Sequence, residues 1–219
     1  MKKLTILISL LIFVFLACGK TNQEAETPKM EEEKAAVKTE AETPAEEGMS
    51  VEEKMAMEPP VWGTIKRTQN PVVVIETNFG TIELELYWKE APKTAENFLY
   101  LVNAGYYDGL IFHRVVPDFV VQGGDPLGNG TGGPGYQIPD EPTKKNHVRG
   151  ALGMAKSGPN TAGSQFYICL RAAPHLDAGF TVFAHVINGM DTVDKIAQVP
   201  TVEEKPQEEI VMTKVYEKE

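Results

Sequence analysis

The chain has 219 residues, 21 of them Lys or Arg against 31 Asp or Glu, for a net charge of −10. No basic run is present to neutralise phosphates, so nucleic-acid binding is set aside. Four histidines without metal-ligand spacing, and no nucleophile elbow, argue against metal or acid–base chemistry.

Residues 1–17 carry Lys2 and Lys3 and then an apolar run over 4–17 that ends at Cys18. As a helix this run reaches about 21 Å, short of a roughly 30 Å hydrocarbon core, so it reads as a secretory signal rather than a permanent span. Leu16-Ala17-Cys18 resembles a bacterial lipoprotein signal, with Cys18 as the lipidated residue; the alternative is an ordinary signal peptide cut nearby. Gly19 in place of aspartate leaves inner and outer membrane both open. With Cys18 acylated, Cys169 has no partner, and neither a disulfide framework nor a thiolate metal site is available. Cys169 lies in an apolar run over 166–170 and reads as a small core side chain.

Residues 18–69 are rich in Glu, Lys, Ala, Thr and Pro, and Ala-Glu-Thr-Pro occurs twice. Such a stretch buries too little apolar surface to offset its ordering entropy, so it is expected to be a tether, with a transient helix possible at 31–38. At about 50 residues it would reach roughly 40 Å from the membrane. Residues 70–219 suit one domain with a substantial core.

Within that domain, 72–77 is β-branched and 81–87 alternates apolar and polar, which predicts an antiparallel hairpin with one wet face. Residues 91–105 predict a helix, with Pro92 in its first turn, Gly105 at its end, and Ala95, Phe98, Leu99 and Val102 as its apolar stripe. Short strands are expected at 110–115, 119–122, 151–155, 165–170, 181–186 and 209–216, and a second helix at 190–197. Eight strands, many turns and two helices point to a mostly β fold, an antiparallel barrel. The glycine-rich run over 123–135 lacks the Gly-Lys-Ser/Thr ending of a phosphate loop and reads as a surface loop.

Two motifs remain: Phe112-His113-Arg114-Val115-Val116-Pro117-Asp118-Phe119-Val120-Val121-Gln122-Gly123-Gly124-Asp125, and Gly158-Pro159-Asn160-Thr161-Ala162-Gly163-Ser164-Gln165-Phe166-Tyr167-Ile168. Their content, order and spacing resemble the cyclophilin-type peptidyl-prolyl isomerases, and the likeness runs from about residue 71 to 216. The resemblance implies an eight-stranded antiparallel barrel closed by two helices. It also implies rotation about X–Pro bonds with no cofactor, on proline-containing peptides and unfolded proteins.

Twisting an amide costs about 18–20 kcal/mol because resonance is lost, and five decades of acceleration require about 7 kcal/mol. That chemistry calls for one fixed cation, apolar walls and a neutral clamp. By resemblance, Arg114 is the cation, and Arg114, Phe119 and Gln122 are the catalytic set. Val120, Ala155, Lys156, Gln165, Tyr167, His175, Leu176 and Phe180 are the substrate-binding positions. Val120 and Gln122 are two apart, as are Gln165 and Tyr167, so each pair shares a strand face. Family members often have tryptophan at His175, histidine at Phe180 and phenylalanine at Tyr167. The missing tryptophan predicts weak cyclosporin binding, which sub-micromolar inhibition would contradict. A lipid-anchored, exported monomer of the cell envelope is expected; the alternative is a surface module that binds proline peptides without significant catalysis.

Overall fold

The computed structural model describes residues 48–219. The signal-like run, Cys18, the tether as far as residue 47 and the candidate helix at 31–38 lie outside the described residues.

The alternating stretch folds as expected. β1 (Val72–Thr77) and β2 (Gly80–Leu86) form an antiparallel hairpin with Val73 opposite Leu84 and Ile75 opposite Ile82. Ile82, Leu84 and Leu86 are fully buried while Glu83 and Glu85 point away, as period two requires. α2 (Pro92–Asn103) begins at Pro92, and Gly105 just beyond it adopts φ +71°, which a residue with a Cβ resists. Its stripe enters the core with Phe98 at the centre, 5.0 Å from Tyr107, 5.5 Å from Phe166 and 5.1 Å from Phe183 between ring centroids. Each such aromatic contact adds about 0.5–1.5 kcal/mol beyond area burial.

The remaining main strands are β3 (Arg114–Val116), β4 (Val120–Gly123), β5 (Ala151–Met154), β6 (Phe166–Cys169), β7 (Val182–Asn188) and β10 (Met212–Glu217). α3 (Met190–Ala197) occupies the predicted span. One eight-stranded antiparallel sheet results, in the order β10-β1-β2-β7-β5-β6-β4-β3. It curls until its two ends meet outside the ladder strands. Phe112 N–H donates to Ile210 O at 2.9 Å and Met212 N–H to Leu110 O at 2.8 Å, around a bridge between Ile111 and Val211. The stretch predicted as a strand at 110–115 therefore divides: its first half closes the sheet, and only its second half enters the β3 ladder.

Three elements are absent from the sequence reading. The first is a small hairpin, β8 (Thr201–Val202) and β9 (Lys205–Pro206), with Glu203 and Glu204 at its tip at φ +50° and +65°. The second is a 3-10 turn, Pro174–Leu176. The third is α1 (Val51–Met55), and it corrects the tether at its C-terminal end. Residues 48–69 lie against the domain. Ser50 and Glu53 close a capping box, Met57 and Ile65 pack on the core, and Glu96 accepts from Gly63 N–H at 2.7 Å and Ile65 N–H at 3.2 Å. Lys54 is 4% exposed, and its ammonium donates to Asp108 O at 2.7 Å. Composition misled here because a few apolar anchors and one satisfied buried cation suffice to dock a polar segment.

Candidate active site

The site is built on one row of cross-strand pairs. Arg114 faces Gln122 across β3–β4, Gln122 faces Tyr167 across β4–β6, and Tyr167 faces Gly153 across β5–β6. Directly paired residues of antiparallel strands share a sheet face, so the row sets Arg114, Gln122 and Tyr167 side by side. Val120 and Gln165, each two residues from a member of the row, join that face. Val120, Tyr167 and Cys169 form a second, small apolar cluster against which Val116, Phe119, Ala155, Leu176 and Phe180 pack. This cluster is the floor of an open groove of about 830 Å³.

Ten of the predicted residues line the groove: Arg114, Phe119, Val120, Gln122, Ala155, Lys156, Gln165, Tyr167, Leu176 and Phe180. His175 does not. The tight 3-10 turn sends Leu176 inward and leaves His175 exposed on the rim, stacked on Phe119 with centroids 5.6 Å apart. A three-residue turn cannot present adjacent side chains to one surface, which is why the two positions separate.

A polar chain holds the guanidinium. Arg114 Nη1 donates to Gln122 Oε1 at 3.1 Å, and Gln122 Nε2 donates to Gln165 Oε1 at 3.1 Å. Gln165 Nε2 donates in turn to the carbonyls of Gly130 and Gly132 at 3.0 and 2.9 Å. On its other side Arg114 Nε donates to Glu204 Oε2 at 2.6 Å, while Val115 N–H bonds the Glu204 carbonyl at 2.8 Å. Lys156 pairs with Asp140 at 2.6 Å and lies 5.3 Å from the centroid of the Phe180 ring. The glycine-rich loop is no anion cradle. Asp125 accepts from the N–H groups of Leu127, Asn129 and Gly130, so the amides that would meet a phosphate are already bonded.

A second network lies under the floor. The Tyr167 hydroxyl bonds His147 Nε2 at 2.9 Å, and His147 Nδ1 bonds Asp177 Oδ1 at 2.7 Å. The carboxylate can only accept, so Nδ1 carries a proton, and in the neutral imidazole Nε2 then accepts from the phenol. The His147 backbone N–H also donates to Asp177, and these bonds, that backbone one foremost, hold the Asp177 carboxyl below its usual value. Gly153 makes room for the phenol, since a Cβ there would overlap the Tyr167 hydroxyl. Burial pushes the Tyr167 hydroxyl well up and the Cys169 thiol up to about 12, which keeps both protonated and the floor neutral.

The sequence reading missed Glu204, His147, Asp177, Gly153 and Met55, the last of which is among the residues lining the groove. One signal was available: a tyrosine in an otherwise apolar strand needs a partner for its hydroxyl. Neither the spacing nor the types of the other residues announce them.

The comparisons with known proteins agree with this geometry. The family model described as cyclophilin type peptidyl-prolyl cis-trans isomerase/CLD matches residues 72–217. The peptidyl-prolyl cis-trans isomerase-like 1 protein of Gibberella zeae is 48% identical over 155 residues, covering 67% of this chain and 96% of its own. Its Mus musculus counterpart is 42% identical over 167 residues, covering 74% and 97%. A crystal structure of a cyclophilin type isomerase from Cryptosporidium parvum, determined in the presence of the dipeptide ala-pro, superposes with a TM-score of 0.65 at 36% identity, covering 68% of this chain and 99% of that one. The groove, its arginine and the sequence agreement along the whole sheet leave one assignment: this chain belongs to the cyclophilin-type peptidyl-prolyl cis-trans isomerases.

Proposed function

We propose that Arg114 accelerates X–Pro rotation by donating a hydrogen bond to the prolyl nitrogen as the amide twists. The proline ring rests on Phe119, Val120, Tyr167, Leu176 and Phe180. In the planar amide the nitrogen lone pair is delocalised; it becomes an acceptor only on twisting, so the donor favours the transition state over the ground state. A guanidinium stays protonated at any relevant pH.

The observation that carries this reading is the fixation of Arg114. Nε and Nη1 are bonded to Glu204 and Gln122, and Nη2 has no partner among the described residues. A donor held in place needs no reorganisation as charge develops, and is worth about 3–4 kcal/mol of the roughly 7 required. Gln165, whose side chain is fully engaged with Gln122 and two carbonyls, acts as a brace for this arrangement. Ala155 and Lys156 flank the peptide.

The test is cis-to-trans exchange of a short X–Pro peptide by the full chain. Arg114→Ala is expected to lower kcat/KM about 10²–10³-fold with unchanged circular dichroism. Undiminished catalysis in that variant would overturn the role of Arg114. Bound proline peptide with no catalysis by the wild type would make the chain a binding module instead.

We further infer that the enzyme is exported, anchored through lipid on Cys18, and assists folding of proteins in the cell envelope. Lys2, Lys3 and the apolar run ending at Ala17-Cys18 support this. Incorporation of labelled palmitate that persists in Cys18→Ala would refute the anchor.

A further inference from the structure

Asp125 closes the first motif three residues after Gln122, yet it does not line the groove and the isomerase reading gives it no task. It is 1% exposed, and backbone amides satisfy its carboxylate. Oδ1 accepts from Leu127 N–H at 2.8 Å, and Oδ2 accepts from Asn129 N–H at 3.0 Å and from Gly130 N–H. A buried charge is costly unless hydrogen-bonded, and bonds to a carboxylate are about twice as strong as neutral ones. The loop over 126–132 is therefore wound around one buried charge. Gly132 passes so close that a Cβ there would overlap Asp125 Oδ1. From behind, the Ser164 hydroxyl donates to Gly124 O at 2.7 Å, which ties the root of the loop to the residue before Gln165.

This winding fixes two carbonyls, those of Gly130 and Gly132, and both accept from Gln165 Nε2. A side-chain amide has one donating end and one accepting end. With Nε2 committed to the loop, Gln165 Oε1 faces Gln122 Nε2, and Gln122 Oε1 is thereby turned to Arg114 Nη1. The two loop carbonyls thus dictate the direction of every bond between the loop and the guanidinium.

Resting on the isomerase reading, we propose that Asp125 is a positioning residue for Arg114, acting through the loop carbonyls, Gln165 and Gln122. Once those carbonyls move away, the Gln165 amide is free to turn over. An inverted Gln165 inverts Gln122, which then presents an NH2 group to Arg114 Nη1. Donor meets donor, and the guanidinium leaves its place. Phe119, Val120 and Tyr167 take no part in this chain, so proline binding survives while the rate falls.

The experiment is a double-mutant cycle in the full chain, with Asp125→Asn, Gln165→Leu and both together. Asparagine at 125 turns an NH2 group toward loop N–H groups and releases them. A donor displaced by 1 Å costs up to about 10²-fold, so Asp125→Asn alone is expected to lower kcat on a short X–Pro peptide about 3–10-fold, with KM within about twofold. With Gln165→Leu the chain is already cut, and Asp125→Asn then changes kcat less than about twofold. Should Asp125→Asn fail to fold, Gly132→Ala, whose Cβ displaces the loop from the same carboxylate, repeats the cycle. Independently of turnover, the NMR order parameter of the Gln122 side-chain NH2 is expected to fall below about 0.6 in Asp125→Asn. Equal loss of kcat in both backgrounds, or a Gln122 amide as rigid as in the wild type, overturns the positioning role while catalysis continues. A wild type without catalysis, whose Gln122 is still loosened by Asp125→Asn, overturns the isomerase reading and upholds the chain from Asp125 to Arg114.

Discussion

Replacing Tyr167 by phenylalanine removes one oxygen from the floor of the groove and nothing from its apolar surface. Tyr167 is 5% exposed and the His147 side chain 0%, so water does not readily replace the lost phenol. His147 Nδ1–H remains bonded to Asp177, which keeps Nε2 as an acceptor with nothing to accept from. A buried acceptor left unsatisfied costs about 1–3 kcal/mol. For a domain of this size each kcal/mol lowers Tm by about 2–4 °C, so Tyr167→Phe is expected to melt about 2–12 °C below the wild type. Urea unfolding should show the same loss with an unchanged m value. The ring keeps its place in the groove lining, so on the proposed mechanism kcat/KM on a short X–Pro peptide should change less than about threefold. The reasoning fails if Tyr167→Phe is as stable as the wild type, for then the hydroxyl–imidazole bond contributes nothing net. It also fails if stability holds while catalysis collapses, which would give the phenol a chemical role.

Glu204→Gln keeps the shape of the group at Arg114 Nε and removes its charge. The pair is partly exposed, 35% and 49% on its two side chains, so the expected loss in kcat/KM is about 2–5-fold, shrinking at high salt. An unchanged kcat/KM would mean that Gln122 alone positions the guanidinium. Asp177 predicts a pH dependence of stability. Its carboxyl lies below the ordinary 3.8 in the folded state because the His147 backbone and ring N–H groups donate to it. A depressed carboxyl contributes stability that is full above about pH 4 and lost as pH falls through the folded value. Melting curves from pH 7 to 3 should therefore steepen in loss below about pH 4, and Asp177→Asn, less stable at pH 7, should lose less on acidification. Parallel acid slopes would remove Asp177 from the account.

Local pattern made much of this legible. Period two determined the β1–β2 hairpin, and the stripe of Ala95, Phe98, Leu99 and Val102 with its flanking Pro92 and Gly105 determined α2. Strand periodicity put Val120 with Gln122 and Gln165 with Tyr167 on one sheet face, while the other residues of the groove were legible only through the resemblance of the two motifs to the cyclophilin-type isomerases. The 3-10 turn then separated Leu176, which lines the groove, from His175, which does not. Composition also misjudged residues 48–69, where docking depends on a carbonyl at Asp108 and a carboxylate at Glu96 supplied by distant sequence. Only the tertiary structure decided how the sheet closes through 110–112 and 210–212, which acid steadies Arg114, what the Tyr167 hydroxyl bonds and that Met55 reaches the groove. Those contacts join residues far apart in the chain, and no local preference encodes a partner that only the curl of the sheet brings within hydrogen-bonding range.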